Sequence, residues 1–260
     1  MRIVGILLAA GSGRRFGGDK LRHPIGAVLR PGAHSPADAR TPNHATPPGL
    51  PLPLARGGGE SATPPLPLPL AGEGRGEGVR LQSSPSLPAA DAVPLGVVAC
   101  RNLVDALPDS IAVVRVGDVT LNALLRGAGA RVIECADAAS GMGRSLACAI
   151  AATRDADGWV VALADMPWVS VATIRTIAGA LQDGAVLAAP SFNGVRGNPV
   201  GFSSACAEAL MRLEGDRGAR DLVAAAGAQL QIVAVDDAGV LRDVDVAADL
   251  SPRATRLPAA

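Results

Sequence analysis

Arg14, Arg15 and Lys20 gather three positive charges on Leu8-Ala9-Ala10-Gly11-Ser12-Gly13-Arg14-Arg15-Phe16-Gly17-Gly18-Asp19-Lys20, a stretch that also holds four glycines. Bare backbone lets N–H groups approach an anion closely, and arginine adds forked contacts to phosphate oxygens. Phosphate is therefore the ligand these residue types favour, with a mobile basic turn as the competing reading. Two familiar phosphate loops do not fit. A dinucleotide fingerprint needs G-x-G-x-x-G, but Phe16 stands where the third glycine belongs. A P-loop needs G-x-x-x-x-G-K-[ST], and Asp19-Lys20-Leu21 breaks its second half.

Carboxylates supply the complementary chemistry. Asp165 directly follows the apolar run Trp159-Val160-Val161-Ala162-Leu163-Ala164. A strand there would project the Asp165 side chain beyond the sheet's edge, where a divalent cation bridging phosphates needs hard oxygen ligands. A second reading stays open at this stage: Asp165 caps the helix that Pro167 helps to start. Asp243 and Asp245 are two apart, so strand alternation points them the same way, and either can supply a second carboxylate. For Asp245 the competing role is capping the Val246–Asp249 turn. Gly141-Met142-Gly143-Arg144-Ser145-Leu146 opens a helix; it either holds base or ribose through Ser145 and backbone N–H groups, or simply starts that helix. Asp216 and Arg220 have the spacing of a surface ion pair, while Arg217 and Arg220 are also suited to an acceptor phosphate.

The elements that must position these groups alternate between strand and helix. Ile3–Leu8 reads as a buried strand stopping abruptly at small residues. Further strands are expected at 111–116, 131–134, 159–164, 185–189 and 230–235. Helices are expected at 119–126, 144–153, 169–181, 204–213 and 219–226. Such alternation predicts a mostly parallel sheet covered on both faces, a three-layer α/β/α Rossmann-like arrangement. Ligands of such sheets bind beyond the carboxyl ends of the strands, where the glycine-rich stretch begins.

Residues 28–92 break the alternation. From Pro31 to Ala90 lie 13 of the 21 prolines, with no aromatic residue and no isoleucine. Thr46-Pro47-Pro48-Gly49-Leu50-Pro51-Leu52-Pro53-Leu54 is echoed by Thr63-Pro64-Pro65-Leu66-Pro67-Leu68-Pro69-Leu70. That composition cannot bury enough apolar area to offset its ordering entropy, so it is expected to be a disordered, low-complexity insertion. Joining Ala27 to Val93 leaves about 195 residues and runs smoothly into an amphipathic helix. The expected organisation is one domain made of 1–27 and 93–260, interrupted by 28–92. A long flexible loop closes at little extra cost, because the entropy grows only as the logarithm of length.

Composition narrows the partners. Lys and Arg total 24 against 24 Asp and Glu, so no global basic field points to a nucleic-acid polymer. Aromatics make up 2% and tyrosine is absent, leaving few stacking platforms, so a base would be read by backbone and small side chains. Cys100, Cys135, Cys148 and Cys206 show no C-x-x-C spacing, and reduced, buried thiols are expected. No stretch approaches the ~20 apolar residues that cross a bilayer. A cytoplasmic location is expected.

The opening L-A-A-G-x-G-x-R-F with G-x-x-K resembles that of the MobA-like nucleotidyltransferases, most closely their molybdenum cofactor cytidylyltransferase branch. Ala164-Asp165-Met166-Pro167-Trp168, Gly197-Asn198-Pro199-Val200-Gly201-Phe202, Gly215-Asp216-Arg217-Gly218-Ala219-Arg220 and Asp243-Val244-Asp245 follow in the family's order. The resemblance covers the chain apart from 28–92. It implies transfer of CMP from CTP to the phosphate of molybdopterin, with Mg²⁺ and release of pyrophosphate. Arg15 and Lys20 are then assigned to the triphosphate, with Arg14 less directly engaged, and Leu8 to Gly13 to the nucleotide. Asp165 and Asp245 fall to the metal, Asp245 being preferred over Asp243 because the family's ligand stands five residues before a leucine, here Leu250. Many relatives carry His where Asn198 stands; Asn198 either faces the acceptor or builds a turn. A molybdoenzyme or its maturation chaperone is the implied recipient of product. Within the class, a guanylyl-transferring relative or an enzyme with a sugar-phosphate or other small-phosphate acceptor stays open. A function of another class is a non-catalytic nucleotide-binding regulator whose proline-rich segment recruits a partner; the paired carboxylates favour catalysis over it, because binding alone does not require both.

Overall fold

The computed structural model describes residues 1–11, 16, 18–25 and 92–250. They all belong to one compact unit, Met1–Ala33 with Pro88–Ala260; a second unit, His34–Leu87, lies outside the described residues. So do the disorder expected over 28–92, apart from Ala92, and the placement of Ser12, Gly13, Arg14 and Arg15.

In chain order the elements are β1 (Ile3–Leu8), β2 (Pro24–Ile25), β3 (Val93–Pro94), α1 (Leu95–Ala106), β4 (Ser110–Arg115), α2 (Val119–Gly127), β5 (Arg131–Cys135), α3 (Met142–Ala151), β6 (Gly158–Leu163) and α4 (Val171–Gln182). They continue with β7 (Leu187–Phe192), β8 (Val195–Arg196), β9 (Val200–Ser203), α5 (Ala207–Met211), α6 (Arg220–Ala225) and β10 (Leu230–Ala234). The main sheet runs β10-β7-β9-β6-β1-β4-β5, with β8 paired to β7. Its pairings are parallel except those of β9 with β6 and β7 and of β8 with β7. The expected mostly parallel α/β architecture is present.

Period-2 alternation explains the three layers. Ile3 and Leu7 of β1, Ala112 and Val114 of β4, and Val160 and Ala162 of β6 face one apolar core. Val4 and Ile6, Ile111 and Val113, and Trp159 and Val161 face the other. Strands buried on both faces must read as continuous apolar runs, which is how these three appear in sequence. α1 closes the first core with Ala99, Cys100, Leu103 and Ala106, spaced as one helical face. α3 closes the second with Leu146, Ala149 and Ile150. Trp159 is fully buried, and its indole N–H is satisfied by Thr153 Oγ1 at 2.9 Å.

Three expectations are corrected. β7 starts two residues later than expected because Gly184, at φ +102°, ends α4 and lets the Ala185 N–H donate to the Ala180 carbonyl. Residues 204–213 form a 3₁₀ turn, Ser204–Cys206, running into the short α5 rather than one helix. No strand was expected at 200–203, yet β9 lies antiparallel between β6 and β7. Of the four cysteines, Cys100, Cys135 and Cys206 are buried and Cys148 half-buried, all as free thiols. Burial pushes the Cys100 thiol up to about 11. Among the described residues no helix is long and apolar enough to cross a membrane.

The chain leaves the described region after Ile25 and returns at Ala92, and the two ends meet. Ile25 pairs with Val93 and Pro24 with Pro94 in an antiparallel ribbon, and the Leu95 N–H donates to the His23 carbonyl at 3.0 Å. Joining Ala27 to Val93 would leave Gly26-Ala27 as a two-residue connection, with glycine first, as a type II′ hairpin requires. Deletion of 28–92 is therefore expected to yield soluble protein with an unchanged far-UV CD spectrum per folded residue. Insoluble or unfolded protein would assign the segment a structural role.

Candidate active site

β1, β4 and β6 end side by side, because Leu8 is in register with Val113 of β4 and Leu163 of β6. A cavity of about 520 Å³ opens at these ends, within the range of small-molecule sites. One wall is the outgoing chain of β1: Leu8, Ala9, Ala10 and Gly11. Two backbone bonds fix it, Ala9 N–H to the Val113 carbonyl at 3.0 Å and Ala164 N–H to the Leu8 carbonyl at 3.1 Å. A Cβ at Gly11 would meet nothing within 4 Å. Packing thus does not demand glycine there, and the backbone remains open to approach.

At one end of the cavity Lys20, Asp165 and Asp245 converge. Lys20 lies on a 3₁₀ turn, Lys20–Arg22, whose Leu21 packs against Gly96 of α1. Its ammonium donates to Asp165 Oδ2 at 2.9 Å and is 3.6 Å from Asp245 Oδ1. Asp165 follows β6 as expected, but it is not the cap of α4. Ser170 has that role, its Oγ accepting the Thr173 N–H at 3.1 Å. The loop between them is held from α1 by Asn102, whose amide donates to the carbonyls of Pro167 and Val169 at 3.0 and 3.1 Å.

Asp245 reaches Asp165 through backbone pairing. The Val244 N–H donates to the Asp165 carbonyl at 3.0 Å, and the Val244 side chain is fully buried. The Asp249 carboxylate accepts the N–H groups of Asp245 and Val246, both at 2.8 Å, so Asp249 organises that turn. Asp243 is exposed by surface area, yet its surroundings remove part of its hydration. That desolvation first, and then the charges of Asp245 and Asp165, raise its pKa.

The far end of the cavity is built from small residues: Ala138, Ala139, Gly141 and Ser145. Gly141 adopts φ +121°, and a Cβ there would overlap the Gly215 backbone, so α3 can start only with glycine at this point. The Gly143 N–H donates to the Gly215 carbonyl at 2.8 Å, anchoring that start. Ser145 is buried and its hydroxyl donates back to the Gly141 carbonyl at 3.4 Å.

Other sequence candidates stand apart. Asn198 lines a separate small cavity with Asn102 and Met166, and its N–H donates to the Val240 carbonyl at 3.0 Å. Arg217 and Arg220 are exposed and do not line the main cavity. The ion pair formed there is Arg217–Asp221 at 2.8 Å, not the expected Asp216–Arg220. Sequence reading missed Arg22, Arg115 and Asp118, which line the cavity. Arg115 Nε donates to the Ala10 carbonyl at 2.7 Å, and Arg22 is paired with Asp19 at 2.7 Å and with Asp118. Arg115 is the last residue of β4 and Asp118 caps α2, so the sequence signals were a charge closing a buried strand and an N-cap residue type before a helix.

The sequence pattern of the MobA-like NTP transferase domain matches residues 70–232, which places the chain in the nucleotidyltransferase class. The chain belongs to that family. It is 36% identical over 117 residues to the purine catabolism protein PucB of Bacillus subtilis (strain 168), a match covering 43% of this chain and 55% of that protein. The chain thus spans about half the length of this curated relative. Among solved structures it is similar in fold to Rv0371c of Mycobacterium tuberculosis H37Rv, at TM-score 0.60 and 21% identity over 96% of both chains. That protein has also been solved as a complex with manganese. A nucleotidyl transferase from Methanothermobacter, Mth528, gives TM-score 0.61 at 16% identity, covering 95% of this chain and 94% of that one. Molybdopterin-guanine dinucleotide biosynthesis protein A of Archaeoglobus fulgidus gives 0.51 at 12%, covering 95% and 94%.

Proposed function

We propose that this chain transfers CMP from CTP to the phosphate of a molybdopterin-type acceptor, releasing pyrophosphate, with 1–27 and 93–260 as its catalytic domain and 28–92 as an insertion. The observation that carries the reading is one ammonium, Lys20, lying between two carboxylates, Asp165 and Asp245, at the strand ends of an NTP-transferase fold.

The donor set fits a hard divalent cation. Among the described residues no group of three or more His, Cys, Asp or Glu is placed to hold a metal ion by itself. Mg²⁺ typically takes only one or two carboxylates and completes its shell with phosphate and water. Asp165 and Asp245 would hold it, and when bound it would neutralise charge on the triphosphate. The manganese complex of Rv0371c is in keeping with a divalent ion.

The remaining work falls to the protein's own groups. Lys20 turns its ammonium from the carboxylates to the phosphates, and Gly11 offers backbone at the β1 end. An oxygen of the acceptor phosphate forms a bond to the α-phosphorus, the bond to the bridging oxygen breaks, and pyrophosphate leaves with that electron pair. The attacking oxygen is already anionic, so no general base is needed; orientation and charge neutralisation supply the rate. Arg15 and Arg14 add charge from outside the described residues. Arg217, Arg220 and Asn198 are left for the acceptor, and a molybdoenzyme or its chaperone for the product. The reading places the reaction in the cytoplasm.

Base choice is assigned to the wall around Ala10, which is 7% exposed, and to the small residues opposite. A methyl at Ala10 takes space that glycine would leave, which suits a pyrimidine better than a purine. One methyl changes discrimination only modestly, so Ala10→Gly should relax the preference in part. Competition between CTP and GTP at equal concentration tests this. CTP should be consumed first, and a clear preference for GTP would transfer the chain to a guanylyl-type activity while leaving the metal site in place.

A further inference from the structure

Asp237 lies outside the cavity, yet three donors converge on it. Its Oδ2 accepts the Ser170 N–H at 2.9 Å and the Thr173 hydroxyl at 2.7 Å, and its Oδ1 accepts the Gly239 N–H at 2.9 Å. The first two donors belong to the N-terminus of α4, the third to the strap that runs from Asp237 to Asp245. The carboxylate therefore buckles the strap to the helix that follows the Asp165 loop.

Beyond the buckle the strap follows that loop closely. Gly239 lies on the Trp168 carbonyl with no room for a Cβ, and Arg242 stacks over the Trp168 ring at 3.9 Å. The Val240 carbonyl accepts the Asn198 N–H, and at the far end the Val244 N–H meets the Asp165 carbonyl at 3.0 Å. The two segments are thus pinned at Asp237–Ser170 and at Val244–Asp165, and the second pin sets Asp245 beside Asp165. Apolar contact alone tolerates sliding, whereas directional bonds to a carboxylate fix register.

We propose that Asp237 is a positioning residue for the Asp165–Asp245 pair, setting the separation at which two carboxylates share one divalent cation. The inference rests on the metal role given to that pair above. Supporting groups outside the ligand set commonly govern metal affinity by 10–100-fold, because ligands must be held to within about half an ångström.

Asp237→Asn separates this role from a general contribution to folding. An amide has one acceptor oxygen, so it can serve α4 or Gly239 but not both, and its NH₂ then faces a donor. Mn²⁺ is titrated by EPR into the full chain with CTP and no acceptor, corrected for Mn–CTP. Asp237→Asn should weaken Mn²⁺ binding about tenfold at unchanged stoichiometry. In turnover, the Mg²⁺ concentration for half-activity should rise in step while kcat at saturating Mg²⁺ stays within about threefold. Thr173→Val, which removes one of the three bonds, should fall between Asp237→Asn and wild type, and it carries the test alone if Asp237→Asn does not fold. A purely structural role would lower thermal stability and the bound fraction but leave the dissociation constant as in wild type, and that result would overturn the proposal. Absence of Mn²⁺ binding by wild type would instead overturn the metal reading, and the proposal with it.

Discussion

Asp165→Ala is expected to reduce nucleotidyl transfer by about a thousandfold or more while leaving the fold intact. A metal clamp on a transferring phosphoryl group stabilises the transition state by several kcal/mol, and about 1.4 kcal/mol is one factor of ten. The fold should survive because the part of Asp165 that holds the strap is its backbone carbonyl, which accepts the Val244 N–H and is kept in the variant. Its side chain is 28% exposed and contacts Lys20, so truncation leaves no buried cavity. Asp245→Ala should behave similarly, with turnover and metal dependence measured on protein of native CD spectrum. Wild-type turnover in either variant would remove that carboxylate from the site.

Lys20→Ala has two opposite expected effects. Transfer should fall by about a hundredfold or more, the typical cost of losing one electrostatic contact to developing charge. Mn²⁺ binding without nucleotide should tighten, because the ammonium that competes with the metal for Asp165 and lies 3.6 Å from Asp245 is gone. A lysine that only braces the loop would lower both quantities or neither. Mn²⁺ titration of the variant beside its turnover number decides between the two roles.

The legible parts of this chain are those whose chemistry is local. β1, β4 and β6 could be read because strands buried on both faces are apolar at every position. Asp165 could be singled out because it follows a buried strand, where α/β sheets expose their ligand-binding ends, and Lys20 because its charge closes the glycine-rich stretch. β9 could not. Val200-Gly201-Phe202-Ser203 is short and contains glycine, and its place between β6 and β7 depends on pairing with residues far away in sequence. The β2–β3 ribbon was hidden for the same reason, since 66 residues separate Ile25 from its return near Ala92.

Site residues that act through backbone partners were equally invisible. Asn102 appears in sequence as a polar residue on an amphipathic helix, and its importance is the carbonyls of Pro167 and Val169. Asp237 reads as one half of an acidic pair, Asp236-Asp237, and nothing in its neighbours predicts three donors from two elements. The choice of Asp245 over Asp243 rested in sequence on the family resemblance, and the structure adds a geometric observation beside it. The Val244 N–H bond to Asp165 sets the strap's register, and in that register Asp245 faces the Lys20 ammonium.

The most direct test of the account follows the α-phosphate. CTP labelled at the α-phosphorus is incubated with the full chain, molybdopterin and Mg²⁺, and label in the acceptor is compared with pyrophosphate released. The account predicts label transfer and pyrophosphate in equal amounts, both abolished by chelation and by Asp165→Ala. Tight CTP binding with neither product, under the same conditions and with a functional acceptor preparation, would contradict it and leave a nucleotide-binding protein that performs no transfer.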